Sequence, residues 1–142
     1  MRIPTHNEPL SPVADDPPDP VVSLVNYIRH FAGSVWLNHR RSKPTEIIIP
    51  TFPLTKGWNK ETTRVRFELP GHFPWQQPDR FHTDYDLRWG GGVVPQRTWY
   101  ENTKELTFLL RIDTSTSPGR EVHFFNAIRR RLQGEHSFYR HR

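Results

Sequence analysis

The segment that most constrains this chain runs from Thr62 to Phe81. Val65, Phe67 and Leu69 alternate with Arg64, Arg66 and Glu68, the two-residue period of a strand with one buried face. The strand breaks at Pro70-Gly71 and passes into His72-Phe73-Pro74-Trp75-Gln76-Gln77-Pro78-Asp79-Arg80-Phe81. Prolines 70, 74 and 78 donate nothing to a sheet ladder and hold the residues before them extended. Aromatics at 73, 75 and 81 can clamp such a backbone to a core. The segment therefore predicts a stiff, ordered crossing after a strand.

Around it, 142 residues are enough for one domain with a core of its own. Aromatic content of 13% argues against disorder throughout. Cysteine is absent, which removes disulfides, thiolate ligands and thioester chemistry from this chain. The sequence offers no apolar run of spanning length and no secretory signal at its start, so a cytoplasmic protein with no membrane partner is expected. Residues 1–19, rich in proline and acidic, read as an extended or disordered leader, 20–134 as the domain and 135–142 as a basic tail.

Asp19-Pro20 is a helix-start signal, followed by Val21, Leu24, Val25, Ile28, Phe31 and Ala32 at helical spacing, with Gly33 as the stop. Val35-Trp36-Leu37 predicts a short strand, and residues 39–44 a basic turn. Glu46 to Ile49 predicts a strand ended by Pro50, and Thr51 to Lys60 a loop around Gly57. These two strands, 46–49 and 62–69, are expected as antiparallel neighbours. Gly90-Gly91-Gly92 reads as a flexible turn, because no Gly-Lys-Ser/Thr follows it. Glu105 to Ile112 predicts a further strand. Ser117-Pro118 opens a last helix, with Val122, Phe125, Ile128 and Leu132 as its apolar stripe. Arg129, Arg130 and Arg131 in its last turn suit the negative end of the helix dipole. The expected class is α+β: helices set apart from a small antiparallel sheet.

This order resembles the ubiquitin-conjugating (UBC) fold, and in particular its prokaryotic UBC-like family E. The residues that carry the resemblance are Ile47-Ile48-Ile49-Pro50 with Phe52-Pro53-Leu54 and Gly57, then Leu69-Pro70-Gly71 with Phe73-Pro74. Pro78-Asp79, Phe81, Asp86-Leu87-Arg88 and Ser117-Pro118-Gly119 complete it. The resemblance implies a small antiparallel sheet between an N-terminal and a C-terminal helix, and a place in a ubiquitin-like modification pathway. The stretch that would hold the conjugating cysteine is Leu106 to Asp113, best matched at Phe108 to Leu110, and it has none. The resemblance thus implies a non-catalytic binding or scaffold component, with a ubiquitin-like protein or its activating enzyme as partner. No cofactor is expected.

Arg111, next to the implied cleft, is the first choice for a partner contact, with Asp113 to orient it. Trp75, Trp99 and Tyr100 are candidate interface anchors, since aromatics and arginine dominate binding hot spots. Trp36 and Trp89 are expected to cover the sheet instead. Thr107 and Thr114 carry the hydroxyls nearest to the place of the thiol, but no neighbouring base is marked in sequence to activate either. His72, His82, Asp84 and His123 have ligand chemistry without ligand spacing. The net charge of +5 and the arginine-rich end support an alternative, a basic nucleic-acid-binding accessory protein, although no recognised motif accompanies them.

Overall fold

The computed structural model describes residues 17–40, 42–112 and 119–134. Helix α1 (Asp19–Ala32) leads into strands β1 (Trp36–Arg40), β2 (Lys43–Pro53), β3 (Thr62–Leu69), β4 (Arg80–Asp84), β5 (Thr98–Trp99) and β6 (Glu105–Leu109). Helix α2 (Arg120–Arg129) follows and passes into a π-helical turn, Arg130–Gly134. The strands form one antiparallel sheet in the order β1-β2-β3-β4-β6-β5. The protein is α+β, with both helices on one face of that sheet.

Periodicity explains the core. Val21, Leu24, Val25 and Ile28 fall on one stripe of α1 and are buried, as are Phe124, Phe125, Ala127, Ile128 and Leu132 at the C-terminal end. They meet the inward residues of the strands: Ile47 and Ile49, Val65, Phe67 and Leu69, Phe81, Leu106 and Phe108. Phe125 meets Phe31 and Phe52 edge to face at 5.6 and 6.1 Å between ring centroids, and Phe31 tilts against Phe52 at 5.4 Å, tying α1, β2 and α2 together. Gly33 ends α1 at φ 86°, and its N–H donates to the Arg29 carbonyl.

Several local expectations need correction. Asp19 is the first helical residue and not the cap; Pro18 holds the cap position, and no side chain caps the helix. The basic turn is shorter than expected, because His39 and Arg40 remain in β1 and Lys43 and Pro44 already belong to β2. Pro50 does not end β2. The ladder with β3 shifts register between Ile49 and Phe52, so the missing N–H falls in an irregularity and the strand runs on to Pro53. Strand β6 stops at Leu109: the Leu110 N–H turns to the Asp79 carbonyl on the crossing loop, while Leu110 and Ile112 still pack on the core. Ser117, Pro118 and Thr114 lie outside the described residues.

The Gly57 loop is held by a close approach. A Cβ at Gly57, whose φ is 116°, would sit 2.5 Å from the six-membered ring of Trp89. Trp58 packs edge-on against Trp89 at 5.0 Å and donates its Nε1 hydrogen to the Leu132 carbonyl at 2.7 Å. This loop thus ties the excursion after β4 to the end of α2.

Candidate partner-binding surface

The crossing, residues 70–79, joins β3 to its neighbour β4 and leans on α2 as it does so. Gln77 Nε2 donates to the carbonyls of Pro74 (2.7 Å) and Arg120 (3.0 Å), and Arg120 is the first residue of α2. The Arg120 guanidinium also lies 4.4 Å from the Trp75 ring centroid. Trp75 is thereby held in place while 74% exposed.

Farther along, Asp79 receives the Leu110 N–H on its carbonyl and the Arg80 Nε hydrogen on its carboxylate at 3.0 Å. The Arg80 bond holds the Asp79 carboxyl below its ordinary value against the opposing effect of burial, and Arg111 adds to that. Arg80 reaches on to Glu101 at 3.1 Å and lies 5.6 Å from the Trp99 ring centroid. Trp75, Arg111 and Trp99 are thus strung along one loop and its neighbours. Arg111 is exposed. Asp113 lies outside the described residues, and the charge of Arg111 favours the ionised form of Asp79.

Tyr100 belongs to a separate group. It is 48% exposed, accepts from Arg88 Nη2 at 2.7 Å and donates to the Tyr85 carbonyl at 3.2 Å. Arg88 Nη1 is fixed on the Tyr85 and Leu87 carbonyls. Two exposed tyrosines around an immobilised guanidinium make a second anchor group, which the sequence signalled only through Tyr100.

On the sheet face away from the helices, strand register sets Trp36, Ile48, Arg66, His82, Thr107 and Trp99 side by side. Arg66 Nε and Nη2 donate to the two carboxylate oxygens of Glu105 at 2.9 and 2.8 Å, and its Nη1 donates to Glu46 at 3.1 Å. Arg64 adds a bond to Glu105 at 3.0 Å and Asn102 another at 3.1 Å. Burial pushes the Glu105 carboxyl up, but the bonds from Arg66 and Asn102 and the charge of Arg66 outweigh it and hold the group at about 2. Trp36 and Trp89 are half-buried, Trp36 on this outer face and Trp89 against Trp58.

His82 and Thr107 form a pair the sequence did not announce. His82 Nδ1 lies 2.8 Å from Thr107 Oγ1 across the β4–β6 ladder, 25 positions apart in the chain. A base beside a hydroxyl is the first requirement of a nucleophile. Thr107, however, is completely buried and His82 is 7% exposed, so no acyl carbonyl reaches the hydroxyl. The pair serves the sheet.

Two other candidates change meaning. His82 and Asp84 are engaged separately, Asp84 with Lys60 at 3.0 Å, and no group of three or more metal-ligating side chains occurs among the described residues. The C-terminal arginines are not simply a solvated face. Arg131 is 7% exposed, 5.0 Å from the Phe108 ring centroid, and donates to the Gln96 carbonyl at 2.6 Å. Arg129 lies 4.2 Å from the Phe31 centroid. They act as packing groups, as long cationic side chains often do. Among the described residues no helix is long and apolar enough to cross a membrane. No protein-family model matches the chain, and neither the curated proteins nor the solved structures yield a match.

Proposed function

We propose that this protein is a UBC-like binding or scaffold component of a bacterial ubiquitin-like modification system, one that holds its partner without a covalent bond. The observation that carries the reading is the crossing loop: it leaves β3, leans on the first residue of α2 through Gln77, and presents Trp75 outward. The element order supports it as well, with a first helix, an antiparallel meander of four strands and a last helix around that loop. The absence of any cysteine from the sequence supports a non-covalent role.

In this reading the partner is a ubiquitin-like protein or its activating enzyme. Trp75 and Arg111 supply the contact, with Trp99 at the far end of the same strip and Tyr100 in the neighbouring group. The test is affinity capture with a ubiquitin-like protein and an activating enzyme from the same organism, together with an ATP-dependent charging assay. Retention of either partner, weakened by Trp75→Ala, with no covalent adduct on this chain, is expected. Failure to retain either one overturns the proposal. The nucleic-acid alternative has lost part of its motive, because Arg131 is buried and Arg64, Arg66 and Arg80 are matched by carboxylates.

A further inference from the structure

We propose that the open cleft between the β1–β2 hairpin and the crossing loop binds an extended acidic peptide of a partner protein. The cleft has a volume of about 900 Å³, and its walls include His39, Arg40, Lys43, Phe73, Gln77 and Arg80. That is the size of a site that encloses a ligand of several residues.

Its charge is the first argument. Arg40 and Lys43 are directly opposite each other where the hairpin closes. Like charges in a cross-strand pair destabilise a sheet. Neither side chain has an ion-pair partner among the described residues. The two acids along the cleft are already engaged elsewhere, Asp79 with Arg80 at 3.0 Å and Glu68 with Arg66 at 3.7 Å. A juxtaposition that costs stability and has no compensating carboxylate among the described residues is what an anionic ligand would relieve.

The walls decide between a peptide and a small anion. Pro44, Pro70 and Pro78 line the cleft and carry no N–H to offer an anion. Gln77 commits its Nε2 to two carbonyls and leaves Oε1 buried without a partner. At about 900 Å³ the cleft is far larger than a sulfate or phosphate, and its cations Arg40 and Lys43 stand at the hairpin end. An extended peptide can fill that length and bring side-chain carboxylates to Arg40 and Lys43. A sulfate or phosphate meets only the cations.

The experiment is fluorescence anisotropy on the full chain with a labelled peptide of about ten residues alternating Glu and Ala, beside its Gln-for-Glu counterpart. The acidic peptide should bind, lose affinity as salt is raised, and bind at least about tenfold more weakly to the Arg40→Gln, Lys43→Gln double variant. The same variant should melt no lower than the parent, since it removes a repulsive pair; this separates a lost site from a lost fold. A parallel measurement with Trp75→Ala should leave peptide binding intact, which keeps this cleft distinct from the partner surface proposed above. Equal affinity for the two peptides overturns the proposal, as does unchanged binding by the double variant. Complete displacement by sulfate at matched charge assigns the cleft to small anions and overturns it too, and so does a concentration-dependent dimer that excludes the peptide.

Discussion

Glu105 receives hydrogen bonds from Arg66, Arg64 and Asn102, and that convergence is the densest polar feature of the sheet. Removing the carboxylate charge leaves Arg66 with little but Glu46 and Glu68. We expect Glu105→Gln to lower unfolding free energy by about 2–4 kcal/mol in urea titrations. Replacing Arg66 and Glu105 together by Met and Leu should cost less than the single change, because the charges then left without a partner, Arg64, Glu46 and Glu68, are the more exposed ones and water can solvate them. The pH dependence has two arms. Glu105 is held near 2, below its ordinary 4.5, so its contribution is complete above pH 4.5 and is lost as pH falls toward 2. It amounts to something on the order of 3 kcal/mol. His82 is pushed below its ordinary 6.5 by burial and then by the charge of Arg66. The folded protein thus prefers the neutral ring, and stability falls as pH drops through 6.5. Thermal melts between pH 5 and 8 should show that loss, and His82→Gln should flatten it. A parallel pH slope in the variant would assign the effect to other groups.

Among the elements, the Gly57 loop and the crossing loop decide how sheet and helices are joined. Gly57→Ala places a methyl group against Trp89 in a backbone conformation only glycine adopts easily. A loss of about 1–3 kcal/mol is expected by chemical denaturation, against a few tenths for Gly91→Ala at an open site. How well each element could be read from sequence follows from its chemistry. Thr62–Leu69 was plain because one face is charged and the other apolar, and the stripes of α1 and α2 were plain for the same reason. Strand β4 escaped notice because Phe81, His82 and Thr83 are all buried, so no alternation marks them. Strand β5 is too short to carry a pattern. Which of three consecutive arginines turns inward depends on the π-helical turn at Arg130–Gly134, which leaves no local signature. The exposure of Trp75 followed from its loop context, whereas Trp99, expected to be exposed for the same reason, is half-buried in β5. The cleft and the His82–Thr107 pair left no such signal, since both arise from strands brought together by the sheet order.

For the whole molecule, the two faces of the sheet divide the work. The inner face carries the helices and nearly all the apolar core. The outer face is polar, with its charges largely matched across strands. Matched charges offer little to a phosphate backbone, and binding to single-stranded nucleic acid should be weak and lost between about 50 and 200 mM salt. Filter binding across that range checks this; tight, salt-resistant binding would contradict it. What remains free to meet a partner is at the rim: Trp75 above the start of α2, Arg111 beside Asp79, and the Tyr85–Arg88–Tyr100 group. The proposed role is tested most directly by the affinity of this chain for a ubiquitin-like protein and for an activating enzyme, the two partners proposed above, read by calorimetry with no nucleotide present. The account predicts saturable binding to one of them, weakened about tenfold or more by combined Trp75→Ala and Arg111→Ala. No heat of binding with either partner, or binding indifferent to both substitutions, would contradict it.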